Sequence, residues 1–379
     1  MLGNSAGGIV REFTKPVRCV VVPNRPPIDR YIAYKRVQLD HGPWVNLKVA
    51  FCDVNIPTPT HLAKWQALCS PGQEPILIDV GDEKYHKGFL SAAHMQDMAS
   101  GTEGSSTWNW LVGLANENNE TGALKQRRHS VAKMIREIYH VTNETQESLF
   151  YRCLDVVDSF FWKQNKRPWD DVFSNPVYSK LKNLWEGFSV TENEVLPFTL
   201  PMYFRKLFMS GRAESDIIGK IRWWIDMKKR VDDRHAAARA KQYQPDLYML
   251  GRRKVGVVRI SDYFESLAFS FSWVGSGKLA MAIIRDKEGR VTIVQSFRHK
   301  PADLEPLAWE LERREPTRWY HETRFKAGHM IMNGSWQFTG VPPTALSDVR
   351  LLDVICRCYG IECSKIYPAN LVQAQPARS

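Results

Sequence analysis

No apolar run in this 379-residue chain approaches the roughly 20 residues that a bilayer-spanning helix needs, so no membrane segment is expected. The first ten residues hold no basic stretch leading into an apolar core, which predicts no secretion signal. Arg11, Lys15 and Arg18 come early and keep organellar import open. Cysteine is sparse: seven residues at irregular spacing, an odd number, with no CxxC pair. This excludes a disulfide framework and points to a reducing, intracellular setting, cytoplasmic or nucleoid-associated. Cys356, Cys358 and Cys363 lie close together, but no nearby histidine completes a tetrahedral zinc set. Leu351 to Cys358 reads instead as the apolar face of a helix with buried thiols. Internal repeats and low-complexity tracts are absent too.

What the chain does have is a globular composition and a basic surplus. Hydrophobic residues make up 44% and charged residues 25%, the proportions of a folded soluble protein. The length suffices for two domains with their own cores. Fifty-two Lys and Arg face 41 Asp and Glu, giving a formal charge of +11 and a pI near 9.3. Such a surplus favours a polyanionic partner, nucleic acid first, although solubility alone also accounts for it.

Three stretches of the first half read as strands. Cys19-Val20-Val21-Val22-Pro23 is apolar throughout and closed by proline. Trp44 to Asp53 alternates through Val45, Leu47, Val49 and Phe51. Ile76-Leu77-Ile78-Asp79-Val80-Gly81 carries a carboxylate out of its C-terminal end. Helices are expected between them, from Asp29 to Val37 and from Thr58 to Leu68. This β-α-β-α-β alternation predicts a mostly parallel sheet with right-handed crossovers. Residues 83–106 read as loop, Thr107 to Leu114 as a tryptophan-rich helix and Asn116 to Thr121 as a polar turn. Leu124 to Val141 reads as one basic amphipathic helix and Ser148 to Phe161 as another helix. Prolines and polar clusters between Asp170 and Glu214 predict surface elements, and Ile217 to Gln242 one long charged helix.

From Lys254 the pattern turns to period two. Val255 to Ile260, Ser270 to Trp273, Leu279 to Ile284 and Val291 to Phe297 read as strands. Turns making hairpins or close connections are expected at Gly275-Ser276-Gly277 and Lys287-Glu288-Gly289, and a helix from Ala345 to Cys358. The expected organisation is an α/β domain over residues 1–215, a joining helix over 216–245, and a smaller α+β domain over 246–379.

Four residues form the leading chemical candidate. Asp29, Asp79, His94 and Asp158 fall at strand ends or in helices able to face the C-terminal edge of the sheet. Three carboxylates and an imidazole suit a hard divalent cation such as Mn²⁺ or Mg²⁺, and two such ions would activate water for attack on a phosphoryl group. Each also has a bland reading: Asp29 as a helix cap, His94 as a loop residue, Asp158 as a surface charge. Gly275-Ser276-Gly277-Lys278 is half of a phosphate loop, but Ser272 and Leu279 stand where the signature needs glycine and a hydroxyl, so a turn is expected. Two basic rows fit a nucleic acid, RNA favoured: Lys125, Arg127, Arg128, His129, Lys133 and Arg136, then Lys220, Arg222, Lys228, Lys229, Arg230 and Arg234, the latter interleaved with Trp223 and Trp224.

Asp79-Val80-Gly81-Asp82, a loop ending at His94, and Ser105-Ser106 before a helix resemble the DHH-type phosphoesterases. The nearest branch is that of the melanocyte-proliferating-gene nucleases, with Asp-Val-Gly-Gly, Asp-His-His and Ser-Ser-Ala-Gly segments. Leu154-Asp155-Val156-Val157-Asp158 is similar to that branch's Val-Asp-Ala-Val-Asp. His321-Glu322-Thr323-Arg324-Phe325-Lys326-Ala327-Gly328-His329 resembles its His-Ala-Ser-Gly-Phe-Ile-Gly-Gly-His. The resemblance implies metal-dependent hydrolysis of phosphodiesters in RNA or short oligonucleotides by a metal-bound hydroxide. Asp29, Asp79, His94 and Asp158 would hold the metal, with Asp79 and His94 central to catalysis. His321, Arg324, Gly328 and His329 would grip the substrate phosphate, helped by Arg313, Arg314 and Arg318. The departures weigh on the metal site: Pro23 and Pro27 stand where the family has histidines, and the Asp-His-His motif is reduced to Ala92-Ala93-His94 or Ala93-His94-Met95. The alternative is a catalytically inactive DHH-like scaffold that binds nucleic acid or serves as an assembly component, with homodimerisation open.

Overall fold

The structure is a computed structural model that describes residues 15–42, 44–54, 57–78, 92, 105–163, 196–299, 302–316, 319–321, 330–334, 339–361 and 363–367. Its first sheet has three parallel strands, β1 (Val17–Pro23), β2 (Asn46–Cys52) and β3 (Ile76–Leu77), in the order β2-β1-β3. Val17 pairs with Asn46 through to Pro23 with Cys52, and Val20 and Val21 pair with Ile76 and Leu77. As the central strand, β1 is covered on both faces, which is why it is apolar without alternation. Val20 and Val22 pack into the core that holds α1 (Ile28–His41), while Cys19 and Val21 pack with Cys52 and with Trp65 of α2 (Pro59–Gln66). The two helices therefore cover opposite faces. The chain steps from β1 to β2 on one side, then back past β1 to β3 on the other, so the strand order reverses beside β1.

The α1 face is covered by α3 (Ser106–Thr121), α4 (Ala123–Gln126), α5 (Val131–Glu137), α6 (Gln146–Asp158), α7 (Leu200–Phe208) and α8 (Glu214–Ala240). Hydroxyls of Ser105, Ser130, Thr145 and Thr199 accept the amides of their first turns, the usual device for orphan N–H groups. Three sequence expectations fail here. Asn116 to Thr121 is not a turn: α3 runs through it, with Ala115 and Asn118 continuing the buried stripe of Leu111, and stops at Gly122 with φ +70°. The basic helix from 124 to 141 is broken, because Ser130 restarts the helix and His129 takes φ +56°. The stretch before Glu214 is not all surface, since α7 buries Leu200, Tyr203, Phe204, Leu207 and Phe208.

The second sheet is mixed, in the order β10-β4-β5-β6-β7-β9-β8. Its strands are β4 (Asp246–Leu250), β5 (Arg253–Arg259), β6 (Met281–Arg285), β7 (Val291–Gln295), β8 (Tyr320–His321), β9 (Met330–Asn333) and β10 (Cys363–Tyr367). Only β5 and β6 pair in parallel; the other neighbours are antiparallel. Met281 and Ile283 face α10 (Glu305–Arg314) and α11 (Asp348–Cys358), through Leu307, Leu311, Leu351 and Ile355. Ala282 and Ile284 face Phe269 and Val274 on the other side. The β6–β7 turn at Gly289 is the expected hairpin, with φ +87°. Ser270 to Trp273, expected as a strand, continues α9 (Tyr263–Phe269) as a π-helical turn over Ser270–Gly275. Phe269 and Val274 are buried five residues apart, and Ser276 donates to the Phe271 carbonyl at 3.1 Å, so the turn closes at π spacing. Gly275 to Gly277 consequently joins this turn to β6 and makes no hairpin. Among the described residues, no helix is long and apolar enough to cross a membrane.

Candidate functional site

The C-terminal edge of the parallel sheet is where the sequence places its chemistry. After β1, Asn24-Arg25-Pro26-Pro27 leads into α1 and sets Asp29 in the first helical turn, where a carboxylate suits the helix dipole. Asp29 is only 3% exposed. Nη1 of Arg30 donates to both of its oxygens, at 2.7 and 2.5 Å, and the Ala92 amide approaches at 3.4 Å. Burial pushes the carboxyl upward. The Arg30 charge and hydrogen bond, the Ala92 amide and the charge of Lys125 together outweigh it and hold Asp29 below the usual carboxylate range. Asp158 is not brought to Asp29: α6 starts at this edge, where Gln146 bonds Asn24, and carries Asp158 about 18 Å along its length to its far end, where Lys35 of α1 places its ammonium 2.7 Å from Oδ1. Asp155, one turn earlier, accepts from Tyr203, Arg212 and Lys220 at 2.5, 3.3 and 3.0 Å.

The two described members of the expected metal set, Asp29 and Asp158, do not stand free for a divalent ion. Asp29 and Asp158 each have a protein cation at contact distance, and a metal would have to displace Arg30 and Lys35. Among the described residues, no group of three His, Cys, Asp or Glu side chains converges. The other two residues of the expected set, Asp79 and His94, lie outside the described residues, as do Arg318, Arg324, Gly328 and His329. The backbone of His321 lies in β8, paired with Ile331.

A second cluster at the same edge is cationic and aromatic, and no motif announces it. Arg25 takes φ +50°, a left-handed conformation uncommon for a residue with a side chain. Its Nη1 is 3.5 Å from Nε2 of His140, whose ring stacks on Tyr263 at 4.0 Å and 3°. Burial and the charges of Arg25, Arg136 and Arg234 push His140 down to about 3, so the imidazole stays neutral. Burial, opposed by Tyr263 and Tyr139, lowers Arg25 itself. The Tyr139 and Tyr31 hydroxyls are 2.8 Å apart, and Gln146 Nε2 donates to Asn24 Oδ1 at 3.1 Å, fixing the loop after β1. Residues from the second half reach this edge: Tyr263 through His140, and Gly340, whose amide donates to the Asp53 carbonyl just beyond β2 at 2.9 Å.

The basic rows are less available than their sequence suggests. On α8, Lys220 pairs with Asp155, Arg230 with Asp226, Arg234 with Asp262 and Lys228 with Asp232. Arg222 and Lys229 are exposed. Trp224 is buried in the core, and Trp223 donates to Glu144 at 2.6 Å under the guanidinium of Arg152, so neither presents an open face for a base. In the earlier row, Arg127 donates to the Pro197 carbonyl at 2.8 Å and Lys133 approaches Glu137 at 3.9 Å. Arg313 and Arg314 both bind Glu310.

No family model and no curated protein matches this chain. Among solved structures, it is similar to a crystal structure of an uncharacterized protein from Helicobacter pylori G27. That match has 9% identity over 91% of this chain and 98% of that one, with a TM-score of 0.24. So loose a superposition carries no argument about fold or chemistry.

Proposed function

We propose that this chain binds nucleic acid, RNA first, on its α/β scaffold, with phosphates drawn to the sheet edge around Arg25 and Arg136. The observation that carries this reading is the pairing of the two described candidate carboxylates with protein cations, Asp29 with Arg30 and Asp158 with Lys35. Carboxylates so matched neither repel a polyanion nor stand ready for a metal. The neutral His140, with three arginines acting on it, supports a positive local potential at the same edge. A chain charge of +11 would bring the polyanion in from a distance.

One observation favours a second reading, the metal-dependent phosphoesterase with Mn²⁺ or Mg²⁺. Asp29 follows β1, and Ile78-Asp79 follows β3, the two strands between which the strand order reverses; open α/β sheets bind ligands at such points. Titration of a 5′-labelled RNA oligonucleotide over a range of salt, with and without Mn²⁺, tests both. Salt-sensitive binding without cleavage supports the binding protein. Mn²⁺-dependent cleavage lost in Asp79→Ala supports the enzyme, and no binding at low salt sinks both readings.

A further inference from the structure

The end of α8, the segment after it and the π-helical turn frame a surface cavity of about 370 Å³. That volume falls in the range of roughly 300–1,000 Å³ typical of small-ligand clefts. Its walls are cationic and aromatic: Arg239 and Lys241 from the end of α8, Tyr243 beyond it, and Ser272 and Trp273 from the turn. Lys278, just past the turn, holds its ammonium 5.4 Å from the centre of the Trp273 ring. Lys241 is partly answered by Glu265 at 2.7 Å, whereas Arg239 is exposed and makes no ion pair among the described residues.

The π turn explains why aromatics stand here at the surface. Widening from α to π spacing lets Phe269 and Val274 carry the burial and turns Phe271 outward, 74% exposed. Helical irregularities of this kind gather at functional sites. A surface that sets guanidinium and ammonium groups beside the exposed Phe271 ring and the half-buried Trp273 ring has the chemistry of single-stranded nucleic-acid grooves, where rings stack on bases and cations follow phosphates. Duplex RNA offers no such fit, because its bases are already stacked.

We propose that this cavity and the adjoining π turn bind single-stranded RNA, with Phe271 and Trp273 stacking on unpaired bases and Arg239 and Lys278 contacting the flanking phosphates. The proposal rests on the nucleic-acid reading above and adds to the sheet edge a second surface, for unpaired bases. An arriving base displaces the Lys278 ammonium from the indole face, freeing it for a phosphate.

The test is fluorescence anisotropy with a labelled oligouridylate on the full chain, alongside photocrosslinking of a 4-thiouridine-substituted oligomer mapped by peptide. Phe271→Ala and Arg239→Ala change exposed residues and leave folding intact, whereas Trp273→Ala removes packing on Phe269, so Trp273→Phe accompanies it. Expected are about tenfold weaker binding for Phe271→Ala and Trp273→Ala, retention in Trp273→Phe, and crosslinks on the peptide spanning Phe271 to Lys278. If the wild type binds and the four variants bind equally well, with crosslinks elsewhere, this surface is overturned and the nucleic-acid reading stands. Equal affinity for duplex overturns the stacking role. A wild type that binds no RNA, or prefers an acidic peptide, overturns both.

Discussion

Arg30 Nη1 stands 2.7 and 2.5 Å from the two carboxylate oxygens of Asp29, its immediate neighbour in the chain, and both side chains are buried. Breaking such a pair from one side leaves a charge with nothing to replace water. Arg30→Ala is expected to lower stability by about 3–5 kcal/mol, while the double change Asp29→Asn with Arg30→Met recovers most of that loss by removing both charges at similar volume. Urea unfolding midpoints for the three proteins decide it. If Arg30→Ala is as stable as wild type, the pair does not hold this edge together.

Asp29 also sets an acid limb. Its folded pKa lies below the unfolded value of about 3.9, so its contribution is complete above about pH 4 and is lost as pH falls through the folded value. Unfolding free energies measured downward from pH 5 are expected to fall less steeply in Asp29→Asn than in wild type. Equal slopes would mean that folding leaves the Asp29 pKa unshifted.

Much of the scaffold was legible because burial writes itself into patterns. An unbroken apolar run marked β1 as a strand of a mostly parallel sheet, and alternation marked β2 and the pair β6 and β7. α7 escaped because Pro201 looked like a breaker, although proline in the first turn of a helix is a start signal. Ser270 to Trp273 deceived because polar–apolar alternation over four residues does not distinguish a strand from a widened helical turn. The candidate site was half legible. Asp29 and Asp158 stood out as carboxylates expected near a sheet edge, but their counter-charges did not. Neighbours one apart ordinarily diverge on a helix, so nothing announced Arg30, and Lys35 reaches Asp158 across two helices. The cluster of Arg25, Arg136, His140 and Tyr263 spans most of the chain without a shared motif, so only folding brings it together.

Gly256 in β5 tests the packing of the second sheet. A Cβ built there would lie 2.6 Å from Leu279 Cδ1 and 3.3 Å from Pro245 Cβ. Gly256→Ala must shift buried Leu279 and is expected to lower stability by about 1–3 kcal/mol. Pairing it with Leu279→Ala, which opens the space, should give less than additive loss. Strict additivity in urea unfolding would show that the two side chains do not compete for volume.

Arg25 allows strain and ligand binding to be separated. Its φ of +50° costs a residue with a side chain roughly 1–2 kcal/mol, and glycine adopts it freely. Arg25→Gly removes the strain together with the guanidinium beside His140. Glycine's extra freedom in the unfolded chain offsets part of the gain, so stability is expected to change by less than about 1 kcal/mol. RNA binding behaves differently: with one phosphate contact gone, the slope of log affinity against log salt should fall by about one, and affinity should drop across sequences. Arg25→Lys retains the charge and should keep most of the slope. If Arg25→Gly instead loses several kcal/mol of stability and binds RNA with an unchanged slope, Arg25 serves only to pin His140 against Tyr263, and the cationic edge is a packing device.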